Sequence, residues 1–263
     1  MTHKFIIMGC GNSAGTPTIG NYWGNCDPEE PRNKRLRASA AVVSDLATVI
    51  IDTGPDFRYQ MNRLDIRHID GVLYTHAHGD HICGIDELRV LRFRGGKLMD
   101  IYGSQETIKE ISERFNYIFI QRHDIYPRVI ESHIFTPEEH YYRPQSIADI
   151  SFIPFEQDHG TCMSLGYRFG DLAYSTDVIR LDEKAIATLK GVKTWIVDGA
   201  GYMMEKNEVH FTLKQIYEMN EIIKAEKVYI THMTPGMDYK TMCKDLPAGF
   251  EPAYDGLTIE FKY

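Results

Sequence analysis

Thr75-His76-Ala77-His78-Gly79-Asp80-His81 puts three imidazoles and one carboxylate into six positions, directly after the apolar run Gly71-Val72-Leu73-Tyr74. That run reads as a buried strand. On an extended backbone, side chains two apart point the same way, so His76 and His78 can grip one cation from a single face. Gly79 then lets the chain turn sharply and bring Asp80 and His81 back towards the same point or a neighbouring one. Neutral imidazole nitrogen and carboxylate oxygen are the ligands that borderline divalent metals take. A polar loop that is merely rich in histidine would need four ligand-type side chains to cluster by accident. The stretch predicts a metal site.

The pattern resembles the H-x-H-x-D-H signature of the metallo-β-lactamase-fold hydrolases, whose members hold two metals and draw three further ligands from the ends of later strands. Residues of matching type follow in order: His159 after Ile150-Ser151-Phe152-Ile153, Asp177 closing Leu172-Ala173-Tyr174-Ser175-Thr176, and His232 closing Val228-Tyr229-Ile230-Thr231. Each of the three, taken singly, is an ordinary polar residue. Together with the first motif they carry the resemblance over nearly the whole chain. It assigns His76, His78 and His159 to one metal, and Asp80, His81 and His232 to the other, with Asp177 bridging. The cofactors it implies are two divalent ions. Histidine-rich mixed ligation suits zinc, and the carboxylates also admit manganese or iron. A family variant with glutamate in place of the second histidine forms a di-iron redox site; position 78 is histidine, which favours hydrolysis. The implied fold is a four-layer αββα sandwich, where pattern reading alone gives only α/β or α+β.

Size and charge bound the rest. The 263 residues are 43% hydrophobic, and no Pro/Gly/Ser-rich linker divides them, so residues 1–263 are expected to form one domain. A formal net charge of −8 argues against a broad grip on long nucleic acid. The five cysteines (Cys10, Cys26, Cys83, Cys162, Cys243) are odd in number and never paired as C-x-x-C, which suggests reduced thiols in a cytoplasmic protein. Cys83, two residues beyond His81, is expected to pack beside the metal site rather than ligate. The start has only Phe5-Ile6-Ile7-Met8 as a consecutive apolar run, and no stretch approaches the ~18 apolar residues of a membrane span.

Along the chain, residues 4–9 read as a first strand leading into the glycine-rich Gly9–Pro17. This loop lacks the ending of a P-loop and the spacing of a dinucleotide fingerprint, so it reads as a tight turn beside the site. Residues 21–34 read as a surface loop. In some phosphodiesterase relatives this region carries several cysteines that hold an extra structural zinc; with Cys26 alone, no such zinc is expected here. Residues 40–43 and 47–52 read as a hairpin ending in Asp52-Thr53-Gly54. By resemblance Asp52 orients metal ligands, a role weighed evenly against that of a plain turn residue. Residues 84–93 and 105–118 have helical spacing. The stretch 121–145, with His123, Tyr126, Arg128, His133, His140, Tyr141, Tyr142 and Arg143, reads as a surface insertion. In relatives its place is taken by a pocket wall or dimer contact, and aromatics mixed with arginine suit a base or sugar-phosphate. Strands are expected at 151–154, 164–169, 172–176 and 194–197, and helices at 181–189 and 212–224.

The implied chemistry is hydrolysis by a metal-bridging hydroxide. Two cations near 3.5–4 Å apart lower the pKa of bound water towards ~7 and neutralise phosphoryl oxygens. His210, read as opening the helix that precedes the His232 strand, matches a histidine of the phosphodiesterase and transfer-RNA 3′-processing branches. There it contacts the scissile phosphate and protonates the leaving oxygen. His210 and Asp80 are therefore the residues assigned to catalysis. The resemblance is strongest to bacterial cyclic-phosphate phosphodiesterases of phosphonate breakdown, implying a small phosphodiester or nucleotide-like substrate and a homodimer. A transfer-RNA 3′-processing endonuclease-like enzyme is the runner-up, although no long basic arm is evident. A thioesterase or lactonase of the same fold, and a non-catalytic nucleotide-binding module, are also compatible with the ligand pattern.

Overall fold

Strict alternation of apolar side chains assigns each strand of the first half to two different cores. In the computed structural model, which describes residues 3–121 and 126–263, Ala40, Val42, Val49 and Ile51 point into one buried cluster. Their neighbours Ala41 and Ile50 point into another. A sheet covered on both faces needs this period of two. The strands are β1 (His3–Gly9), β2 (Ser39–Val43), β3 (Thr48–Ile51), β4 (Gly71–Leu73), β5 (Met99–Ser104), β6 (Ile130–Phe135) and β7 (Gln145–Ile147). They continue with β8 (Ile150–Asp158), β9 (Met163–Phe169), β10 (Leu172–Ser175), β11 (Thr194–Asp198), β12 (Lys227–Thr231), β13 (Phe250–Pro252) and β14 (Thr258–Phe261).

Two seven-stranded sheets result, ordered β14-β1-β2-β3-β4-β5-β6 and β13-β12-β11-β10-β9-β8-β7. In the first, pairing is antiparallel from β14 to β3 and parallel from β3 to β6. In the second, it is antiparallel from β7 to β10 and parallel from β10 to β13. The central core joins the facing sides: Phe5, Ile7 and Val49 from one sheet meet Phe152, Tyr167, Phe169 and Tyr174 from the other.

Helices cover the outer faces. The helices are α1 (Phe57–Arg63), α2 (Gly79–Ile82), α3 (Leu88–Gly95), α4 (Gln105–Arg114), α5 (Asn116–Phe119), α6 (Glu183–Leu189), α7 (Leu213–Ile223) and α8 (Tyr239–Asp245). Phe57, Leu88, Ile108 and Ile111 pack on the outer face of the first sheet. Ala185, Leu189, Leu213 and Ile216 belong to the cluster of the second. The αββα layering implied by the resemblance is the observed architecture.

Three readings need correction. Within the stretch 121–145, residues 130–135 are not an insertion but β6, which pairs in parallel with β5 from Met99↔Ile130 to Ser104↔Phe135. His123 lies outside the described residues. The helix expected over 105–118 ends at Arg114, and α5 begins at Asn116. The strand expected to stop at Pro154 runs on to Asp158. β7 accompanies β8 only as far as Phe152, and beyond it Tyr142 donates its N–H to the Pro154 carbonyl, an irregular contact that tolerates a missing N–H on the proline.

The loop between β1 and β2 is fastened from inside. Arg35 is fully buried, and its guanidinium donates to the Thr234 and Met237 carbonyls, to Asn33 Oδ1 and to Cys26 Sγ. One planar fork thus ties residues 26–35 to the segment after His232. Gly11 and Asn12 also meet Met233, which puts the glycine-rich turn beside the site, as read from the sequence.

Candidate metal centre

All seven side chains singled out as ligands converge at one end of the two sheets. Leu73 ends β4, the chain bends at Thr75 and is extended at His78 (φ −66°, ψ 150°), and the donor atoms of His76 and His78 come to one side. Gly79 then opens α2, whose first turn carries Asp80 and His81. The first sheet's loop crowds this turn. A Cβ on Gly54 would stand 2.2 Å from the Asp80 carbonyl oxygen, so only glycine allows that approach.

The second sheet brings its share from three strand ends. His159 follows β8, Asp177 lies two residues past β10, and His232 follows β12 directly. Asp177 (φ 51°) and His232 (φ 56°) are both left-handed, as is Asp52 (φ 63°) after β3. Non-glycine residues seldom take this conformation, and its concentration around one cluster marks a functional constraint.

The donor atoms of His76, His78 and His159 lie within 4.8 Å of one another, and so do those of Asp80, His81 and His232. Asp177 lies between the groups. Its Oδ2 is 3.1 Å from His81 Nε2, and its Oδ1 is 3.4 Å from both His159 Nε2 and His232 Nε2. The Nε2 atoms of His76, His81 and His232 are buried and make no hydrogen bond. Unpaired buried nitrogens facing carboxylates are what a cation site requires, since each costs free energy without a partner. The donor set therefore fits divalent metal.

Other contacts fix the rings. Asp52 Oδ2 accepts from His81 Nδ1 at 2.7 Å, while Thr75 donates to the same carboxylate through its N–H and Oγ1, both at 2.8 Å. His159 Nδ1 donates to the Val209 carbonyl at 2.8 Å. Each arrangement leaves Nε2 free for the centre.

Electrostatics follow from burial among opposite charges. Burial alone would lower His232, but Asp177 and Asp80 outweigh it and raise its pKa to about 9. Burial would likewise lower His81, yet Asp177 and Asp52 hold it well above the usual imidazole range. Burial would raise Asp177 and Asp80, and the neighbouring histidines instead hold both low. His76 is pushed well down by burial and by His81, and His78 down by burial and by His159. The cluster thus keeps its carboxylates ionised and draws positive charge towards them.

His210 joins the cluster from the loop before α7. Its ring centre is 5.2 Å from that of His159 and 5.0 Å from that of His232. It does not open the helix, because Thr212 is the cap, with the reciprocal Thr212–Gln215 bonds of a capping box. Its Nδ1 is 2.6 Å from Asp198 Oδ2. Asp198 was not anticipated from the sequence. It is fully buried at the end of β11, where it also accepts from the Val178 and Ala200 N–H groups. A signal existed: Trp195-Ile196-Val197-Asp198-Gly199 repeats the apolar-run-then-aspartate pattern of Asp52. Cys83 is exposed, contrary to expectation. The cysteine beside the site is Cys162, whose Sγ is 4.0 Å from His78 Nε2.

Comparison with known proteins agrees with this geometry. Residues 47–233 match the model of the Beta-lactamase superfamily domain. The chain is similar to a solved diphosphatase of the PhnP family, with 33% identity, a TM-score of 0.87 and coverage of 99% of this chain and 98% of that one. Human tRNase Z, short form, shares the fold at 14% identity and a TM-score of 0.68, covering 97% and 98%. A protein of Porphyromonas gingivalis (strain ATCC BAA-308 / W83) named as an octanoyltransferase is 30% identical over 260 residues, 97% of this chain. The chain spans about half the length of that curated relative, 51%. No helix among the described residues is long and apolar enough to cross a membrane. Family match, whole-chain likeness and the convergent His/Asp cluster together establish that the chain belongs to the metallo-β-lactamase superfamily of hydrolases, as a relative of the PhnP-family diphosphatase.

Proposed function

We propose that the chain is a metal-dependent phosphodiesterase acting on a small phosphodiester or nucleotide-like substrate. The observation that carries this reading is the His210–Asp198 pair: an imidazole at the edge of the cluster, anchored through Nδ1 at 2.6 Å. His76, His78 and His159 would hold one divalent ion, and Asp80, His81 and His232 a second, with Asp177 shared between them. Bound ions would supply positive charge for phosphoryl oxygens and make water reactive near neutral pH.

The chain's own residues do the rest. Asp198 fixes the His210 tautomer with the proton on Nδ1, so Nε2 is the atom that holds and releases a proton to the departing alkoxide. Two backbone donors hold Asp198 itself, which keeps that pair in register. Asp80, partly exposed and held ionised, can accept a hydrogen bond from water at the mouth. The similar solved structure is that of a diphosphatase, an enzyme of phosphoryl chemistry, which supports the reading.

The test is a substrate panel on protein reconstituted with zinc or manganese: bis-p-nitrophenyl phosphate, a cyclic nucleotide, a dinucleoside diphosphate and an octanoyl thioester. Phosphodiester turnover should lead. His210→Ala should lower its kcat by about 10²–10⁴ with metal content unchanged. Preference for the thioester, or an unaffected His210→Ala variant, would overturn the proposal.

A further inference from the structure

A cavity of about 740 Å³ opens directly from the cluster, with His76 and His78 in its wall. Four carboxylates also line it: Glu106 and Glu110 on α4, Glu138 after β6, and Glu156 on β8. Among the described residues its lining contains one Lys or Arg, Arg114, and that guanidinium is engaged twice, by the Ala77 carbonyl at 2.6 Å and by Glu110. With Glu110 paired to Arg114, Glu106, Glu138 and Glu156 leave the pocket beside the cluster acidic.

A second observation concerns Tyr141, which lines the same cavity and is 6% exposed. Its hydroxyl takes no hydrogen-bond partner among the described residues. It lies within the field of Glu156, Glu106 and Glu138, which add to burial in raising its pKa. Burial, Asp182 and Glu106 likewise raise Glu156, with Lys184 only partly opposing them. An unpartnered hydroxyl, open to the cavity on an otherwise buried side chain and set among repelling carboxylates, is a recognition site lacking its ligand group.

The chemistry of the missing group can be narrowed. A second anionic phosphate would be repelled. A neutral polyol would bond to the carboxylates but leave their repulsion in place. No three of the carboxylates converge within 4.8 Å in the way the candidate metal groups do, so the spacing does not suit a bare ion. An organic cation satisfies every wall: the carboxylates compensate its charge, the Tyr141 hydroxyl orients it, and the Phe135 and Tyr141 rings face it. Residues 135–141 thus contribute to the pocket wall, with a glutamate and aromatic rings. Arg128 is turned away to Glu131 and the Ile130 carbonyl.

We propose that this cavity receives the ammonium-bearing portion of a zwitterionic phosphodiester whose phosphoryl group sits at the His/Asp cluster, a reading that rests on the phosphodiesterase assignment above. The test compares three probes on the zinc-loaded full chain. These are p-nitrophenyl phosphocholine, 2-aminoethyl p-nitrophenyl phosphate, and p-nitrophenyl 3,3-dimethylbutyl phosphate, which replaces nitrogen with carbon. The ammonium probes should show kcat/KM about tenfold or more above the carbon analogue. In the Glu106→Gln/Glu156→Gln double variant the ratio should fall towards one; because it is internal to each variant, a loss of folded protein does not alter it. Choline binding, read by saturation-transfer NMR against 3,3-dimethylbutan-1-ol, gives a readout independent of turnover. If bis-p-nitrophenyl phosphate is hydrolysed but neither the ratio nor choline binding favours ammonium, the ammonium reading falls and the phosphodiesterase stands. If no phosphodiester is turned over yet choline binds to the native chain and not to the double variant, the pocket stands and the reaction falls.

Discussion

Replacing Asp52 with asparagine should weaken metal binding while sparing the fold. Asparagine tolerates the left-handed backbone at φ 63° and can keep the Thr75 N–H bond through its carbonyl oxygen. What changes is the group facing His81 Nδ1, where a carboxylate oxygen at 2.7 Å becomes an amide N–H. Two donors cannot face each other, so His81 gives up its Nδ1 proton and carries it on Nε2 instead. That nitrogen points at Asp80 and Asp177, 3.3 and 3.1 Å away, where its lone pair is needed. Loss of such an orienting partner typically costs 10–100-fold in metal affinity, or about 1.4–2.7 kcal/mol. Fold stability should move less, because burial opposes the native carboxylate's charge and removing that charge offsets part of the lost bonding. The assay is zinc titration against a competing chelator, with thermal unfolding of the chelated protein as the control. A zinc Kd within about threefold of the native value, at unchanged stability, would refute the tautomer argument.

Two further outcomes follow from the same structure. Chelation should lower the unfolding temperature. An ion present at a hundred times its Kd stabilises by about 2.7 kcal/mol, roughly 5–10 °C for a chain of this size, and an unchanged midpoint on metal removal would contradict the site. Asp255 accepts from the Cys10 and Leu36 N–H groups, yet burial raises its pKa to about 6 from an ordinary value near 3.8. The folded state therefore holds a proton that the unfolded chain has released between pH 4 and 6, and stability falls as pH rises through that window, by at most about 3 kcal/mol. Urea unfolding should show that decline relative to Asp255→Asn, and equal slopes in the two proteins would exclude it.

The site was more legible than the elements that carry it, for a physical reason. Metal ligation demands particular residue types at strand ends, and those types are rare enough in combination that His76 to His81 stand out unaided. Asp198 escaped because its role depends on His210, which is twelve residues away and related to it by folding rather than by spacing. β6 escaped because an edge strand mixes its pattern: Ile130 and Phe135 are buried, while Glu131, Ser132 and His133 are half-exposed and Ile134 is exposed. Arg35 reads as one charge in a polar loop, and only the folded chain reveals four acceptors closing around it. Left-handed backbone at Asp52, Asp177 and His232 has no signature in residue type beyond the modest tolerance of aspartate.

One regularity explains why the ligands lie where they do. Each sheet runs three antiparallel pairings and then three parallel ones, so β3 in the first corresponds to β10 in the second, and β4 to β11. Asp52 leaves β3 and Asp177 leaves β10, both left-handed, at the same point in the ladder. There antiparallel pairing gives way to parallel, and neighbouring strands end side by side with their C-terminal ends open. Two such openings face each other across the central core. His76, His78, Asp80 and His81 come from one, and His159, Asp177, Asp198, His210 and His232 from the other. Neither of the two ion groups assigned above comes from one sheet alone: His76 and His78 need His159, while Asp80 and His81 need His232. Docking of the sheets and metal affinity are therefore one coupled equilibrium. A cavity made in the central core, far from any ligand, should weaken zinc binding in proportion to how far it loosens that packing.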